Sequence, residues 1–138
     1  MQTNDQATNA SEYGADYYAS HCGEAYERSD LWLNQFGHVA DRIIAALQPR
    51  KTLDVGCAHG FLVEALAKRG VDAFGIDFSE YAISQVHESV ADSCRVASAT
   101  EPIEDTYDLI TSIEMLEHLT PGDALLAIRN MTSATDTL

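Results

Sequence analysis

Residues 53–60 read "LDVGCAHG". The compact β-type run "KTLDV" (51–55) leads directly into a short turn bounded by Gly56 and Gly60, and the helical pattern "FLVEALAKR" begins immediately beyond it. Five residues of β-type composition ahead of a glycine turn predict a strand. Lys68 and Arg69 in the last turn of the following helix, with Gly70 as its stop, predict where that helix ends. A strand turning on glycine into a helix is the opening unit of a doubly wound α/β sheet.

Working outward, "VDAFGI" (71–76) reads as a second strand. Ser79 is placed to cap a helix that carries Ile83, Val86 and Val90 on one face. A weak strand follows near Cys94 to Ala97, and a stronger one in "YDLITSI" (107–113). In "TPGDALLAIRN", Thr120 is the cap, Pro121 the first helical residue, and Asp123 is placed to reach back. This alternation predicts a mainly parallel sheet wound with helices on both faces. Ahead of it, Trp32, Phe36, Val39, Ile43 and Leu47 recur at helical spacing until Pro49, which predicts one long amphipathic helix with Trp32 and Phe36 in the core. Residues 13–49 thus form a helical segment whose tyrosines (Tyr13, Tyr17, Tyr18, Tyr26) serve either as a lid or as an anchor for that helix. Residues 1–12 are polar and expected to be a mobile tail, and residues 50–138 carry the ligand-binding sheet.

At 138 residues the chain is one domain in size. Eight Lys and Arg against 22 Asp and Glu give a formal charge of -14, which disfavours nucleic acid and anionic membranes as partners. Cys22, Cys57 and Cys94 have neither metal-type nor disulfide-framework spacing, as suits a reducing compartment. No stretch approaches about 18 consecutive apolar residues, and the start lacks the regions of a signal peptide. A soluble, cytoplasmic protein is expected.

In a doubly wound sheet, ligands bind beyond the carboxyl ends of the strands. Gly56 and Gly60 allow close backbone approach there, and the first-turn N–H groups of the next helix are placed to meet an anion. The nicotinamide dinucleotide fingerprint fails, because the third position from Gly56 is Ala58 and the sixth is Phe61. A P-loop fails for want of Gly-Lys-Ser/Thr.

The stretch instead resembles motif I, D/E-x-G-x-G-x-G, of the Rossmann-like S-adenosylmethionine-dependent methyltransferases. Asp54, Gly56 and Gly60 match, with Ala58 in place of the middle glycine. "FGIDFS" puts Asp77 about 20 residues beyond the turn, where this fold presents an acid to a ribose, and "YDLITSIEMLEHL" is similar to the family's strand-four signature.

The resemblance implies S-adenosylmethionine as cofactor, S-adenosylhomocysteine as product and a small-molecule or sugar acceptor. Gly56, Cys57, Ala58, His59, Gly60 and Phe61 would face the methionine portion. Asp54 would organise the turn or reach the amino group through water, Asp77 would accept from ribose hydroxyls, and Phe78 would cover the adenine. Where the family often places an acid for the adenine, "ASAT" offers Ser98, Ala99 and Thr100. Glu114 lies at the pocket mouth. Glu114, Glu117 and His118 read as ordinary residues of the pocket rim, with His118 also the candidate general base and the three together a weaker metal-binding alternative. Arg28 is a further candidate for the cofactor carboxylate. The family's sheet has seven strands, so the chain reads as its amino-terminal part, with the fourth strand as an open edge available for self-association. A non-catalytic binding or interaction module and, more remotely, an NAD-dependent oxidoreductase are the rival readings.

Overall fold

The computed structural model describes residues 9–138. The expected tail lies for residues 1–8 outside the described residues, while Ala10–Glu12 form a 3-10 turn. Two helices precede the sheet, α1 (Ala15–Ser20) and α2 (Asp30–Leu47). α2 stops where Gln48 turns left-handed at φ 46° ahead of Pro49. Then follow β1 (Lys51–Val55), α3 (Phe61–Ala67), β2 (Asp72–Asp77), α4 (Glu80–Ser84), β3 (Cys94–Val96), β4 (Leu109–Thr111) and α5 (Pro121–Ala134).

The four strands are parallel in the order β3-β2-β1-β4. Leu53 of β1 pairs with Phe74 of β2 on one side and Ile110 of β4 on the other. The winding therefore reverses between β1 and β4, and a crevice opens at their carboxyl ends.

Side chains alternate across the sheet, as strand geometry requires. On one face Ala73 packs with Ala40 of α2 and with Leu62, Val63 and Leu66 of α3. On the other, Leu53, Val55, Ile76 and Ile110 pack with Ala127 and Met131 of α5. Thr120 caps α5 by accepting from the Asp123 amide, and Pro121 is its first residue, as the sequence predicts.

Three expectations change. The helix begun by Ser79 ends at Ser84, because His87 is extended (ψ 143°) and its ring accepts the Ser89 amide to start a separate 3-10 helix, Glu88–Ser93, which carries Val90. β4 is shorter than "YDLITSI", pairing with β1 only over Leu109–Thr111. Its outer edge is not bare either, since the Ile110 amide donates to the Thr137 carbonyl at 3.0 Å. Among the described residues no helix is long and apolar enough to cross a membrane.

Candidate functional site

The turn after β1 is fastened to β2 by its backbone. The amides of Gly56 and Cys57 both donate to the Ile76 carbonyl, at 2.8 and 3.0 Å. Gly56, Ala58 and Gly60 take positive φ values of 82°, 50° and 74°. Asp77, at the end of β2, closes the turn: its Oδ2 accepts from the Ala58 amide at 2.8 Å and its Oδ1 from the Ser79 amide at 2.9 Å. Burial raises the Asp77 pKa above the usual carboxylate range, against the lowering effect of those two bonds. Asp54 accepts from the Thr111 hydroxyl at 2.7 Å, and burial pushes its pKa up to about 6.

A second wall comes from the segment beyond β4. Met115 lies directly over Gly56, where a Cβ would stand 2.6 Å from Met115 Cγ. The 3-10 helix Leu116–His118 presents His118 beside the amino-terminal segment, with ring centroids 5.6 Å from Tyr13 and 6.3 Å from Tyr17. The Tyr13 ring also packs 5.2 Å from Phe78. Its carbonyl accepts from the Ser79 hydroxyl at 2.7 Å, and the same Ser79 oxygen caps α4 through the Ala82 amide.

Together these elements enclose a cavity of about 480 Å³, within the range of small-molecule sites. Of the residues predicted from sequence, Asp54, Gly56, Cys57, Ala58, Asp77, Phe78, Ser98, Ala99, Glu114 and His118 line it. His59, Gly60 and Phe61 do not. His59 is 4% exposed and sits among the rings of Tyr18, Tyr26 and Phe61 at 4.6, 4.9 and 5.7 Å. Burial there drives its pKa down to about 4. Phe61 belongs to that aromatic cluster, and Gly60 faces Val86 and Cys94. No residue of α3 reaches the cavity wall, so the backbone at Gly56–Ala58, and not the helix end, faces any ligand.

Trp32 and Phe36, expected in the core, line the cavity with Gln35 between them, and Phe36 also packs against the core cluster that holds Ala40, Leu62 and Leu66. Their helical spacing signalled an apolar face without showing what that face meets. Arg28 points elsewhere, with Nη2 donating to Glu64 Oε1 at 2.7 Å, where Lys68 also pairs. Among the described residues no three His, Cys, Asp or Glu side chains group closely enough to hold a metal ion. Glu117 Oε1 lies 4.0 Å from His118 Nε2.

A parallel sheet of order 3-2-1-4, with a glycine turn and an acid meeting over a cavity at its carboxyl edge, defines a Rossmann-like α/β protein. Residues 53–134 match the methyltransferase domain family, and the chain belongs to that family. Among curated proteins it is similar to a ubiquinone biosynthesis O-methyltransferase from Methylococcus capsulatus, 38% identical over 90 residues that cover 59% of this chain and 38% of that protein. One from Bordetella avium is 37% identical over 86 residues, covering 56% and 35%. The chain therefore spans well under half the length of these relatives. Two solved structures share the fold. An amino pentose methyltransferase from Micromonospora echinaspora superposes with TM-score 0.68 at 23% identity, covering 87% of this chain and 51% of that one. A magnesium protoporphyrin IX methyltransferase from Synechocystis gives 0.67 at 18%, covering 94% and 74%.

Proposed function

We propose that this chain is the donor-holding part of an S-adenosylmethionine-dependent methyltransferase acting on a small-molecule acceptor. The observation that carries the reading is the junction of the Gly56–Ala58 turn with Asp77. There a carboxylate only 6% exposed lines the cavity beside backbone that a ligand can approach closely. Each Asp77 oxygen accepts one amide hydrogen and retains a second lone pair, which suits the adjacent hydroxyls of a ribose. Phe78 offers a ring to the adenine, and Ser98 and Ala99 lie along the same wall. Asp54 and the turn are left for the amino-acid portion. No lysine or arginine lines the cavity, so the pyrophosphate of a nicotinamide dinucleotide would find no counter-charge, as the altered glycine pattern also argues.

When bound, the cofactor supplies a methyl group on a sulfonium, which passes to the acceptor and leaves S-adenosylhomocysteine. The chain's own part is to hold donor and acceptor in attack geometry. The oxygen chemistry of the similar curated proteins supports a hydroxyl acceptor. His118 is then the group to take its proton, with its ring fixed by the Tyr13 and Tyr17 rings. The charge of -14 favours a small or neutral acceptor, a sugar or another metabolite, over nucleic acid. A cytoplasmic setting fits the three unbridged cysteines.

Calorimetric titration with S-adenosylhomocysteine, beside NAD, tests the reading. Micromolar binding of the first and none of the second is expected. A folded chain that binds NAD, or neither, refutes it.

A further inference from the structure

All eight lysines and arginines of the chain lie among the described residues, and none lines the cavity. Half of them are held by carboxylates elsewhere: Arg28 and Lys68 on Glu64, Lys51 on Asp105, and Arg69 on Asp41. The cavity wall carries three carboxyl groups, Asp54, Asp77 and Glu114, set among the rings of Tyr13, Tyr17, Trp32 and Phe36.

An anionic group entering this space sheds hydration, finds no lysine or arginine in return, only the imidazoles of His21 and His118, and meets carboxylates of its own sign. A neutral group escapes that cost, and a cationic one is attracted both by the carboxylates and by the faces of the rings. Aromatic walls also favour ligands with a flat apolar surface. Resting on the methyl-transfer reading above, we infer that the acceptor taken by this cavity bears no negative charge and lays a flat apolar face against the wall to which Trp32 belongs.

Trp32 is the single tryptophan of the chain, so its fluorescence reports occupancy directly. The test is a titration of the 138-residue chain with benzyl alcohol, benzylamine and benzoate, which share a ring and differ in charge. Each is run with and without saturating S-adenosylhomocysteine. Benzylamine and benzyl alcohol are expected to quench Trp32 at concentrations at least about tenfold below those needed for benzoate, the effect of roughly one unscreened like charge at close range. Glu114→Lys should narrow the gap between benzoate and benzyl alcohol by severalfold. Benzoate binding as well as the alcohol, or no binding by any of the three, overturns the inference. Failure of S-adenosylhomocysteine to bind sinks the cofactor reading separately, because the ranking in its absence still decides the charge preference.

Discussion

Asp77 Oδ2 accepts the amide hydrogen of Ala58 at 2.8 Å, so the acid at the end of β2 braces the turn at the end of β1. A residue read from sequence purely as a ribose ligand thus also holds the backbone that the cofactor would lie against. Asp77→Asn replaces one acceptor oxygen with an amide donor facing an N–H group. Loss of such a charge-assisted bond costs about 1.5 to 3 kcal/mol. The variant should therefore lose at least about tenfold in S-adenosylhomocysteine affinity and also unfold at lower denaturant concentration. Calorimetry and urea titration on the same preparation check both effects. Weakened binding at unchanged stability would show that the brace contributes nothing to the fold.

Ala58 stands where the family's motif has its middle glycine, and its φ is 50°. A left-handed backbone costs a residue with a Cβ about 1–2 kcal/mol, while glycine returns part of that gain through a more flexible unfolded chain. Ala58→Gly should raise stability by up to about 1 kcal/mol without weakening the cofactor. A higher urea midpoint with an unchanged slope is the expected result.

Gly56 cannot take a side chain where it lies. A Cβ would meet Met115 Cγ at 2.6 Å and Met115 Cβ at 2.9 Å, and φ is 82°. Gly56→Ala is expected to destabilise the chain by about 2 kcal/mol, combining steric overlap with backbone strain. Met115→Ala in the same chain removes the Cγ contact but neither the Cβ contact nor the strain. Rescue should therefore be partial, and a double-mutant cycle in denaturant gives the coupling. Strict additivity would mean that the two segments do not touch.

Local chemistry made the turn, the strands on either side of it and the Thr120-Pro121 helix start legible, because each depends on neighbours within a few residues. What escaped was long-range. Arg28 lies 36 positions from Glu64, and no short pattern announces that pair. The spacing of Trp32 and Phe36 revealed an apolar face, but a core and a cavity wall look alike at that level. His59 sits inside the motif, yet its ring is claimed by tyrosines from the amino-terminal segment. Asp54 and Asp77 line the cavity from the ends of β1 and β2, whereas His118 does so from the 3-10 helix beyond β4, with no strand end to place it.

Two buried groups near the site should give opposite pH dependences that conceal one another. His59 has a folded pKa of about 4 against an ordinary 6.5, so below pH 6.5 the unfolded chain binds a proton that the folded chain refuses. Stability from this residue is lost as the pH falls toward 4, by about 3 kcal/mol. Asp54 has a folded pKa of about 6 against 3.8, so between those values the folded chain holds the extra proton. Its contribution rises as the pH falls over the same window, by about 2 kcal/mol. The remaining slope for the pair is small. His59→Leu, which removes only the first effect, should gain stability relative to the parent as the pH is lowered from 6.5 to 4. Asp54→Asn should lose it over that window. Urea unfolding of the three chains at pH 6.5, 5 and 4 checks this, and the difference from the parent is the quantity to compare, since the exposed ion pairs are common to all. Parallel curves for parent and His59→Leu would mean that the imidazole is not held neutral within the aromatic cluster.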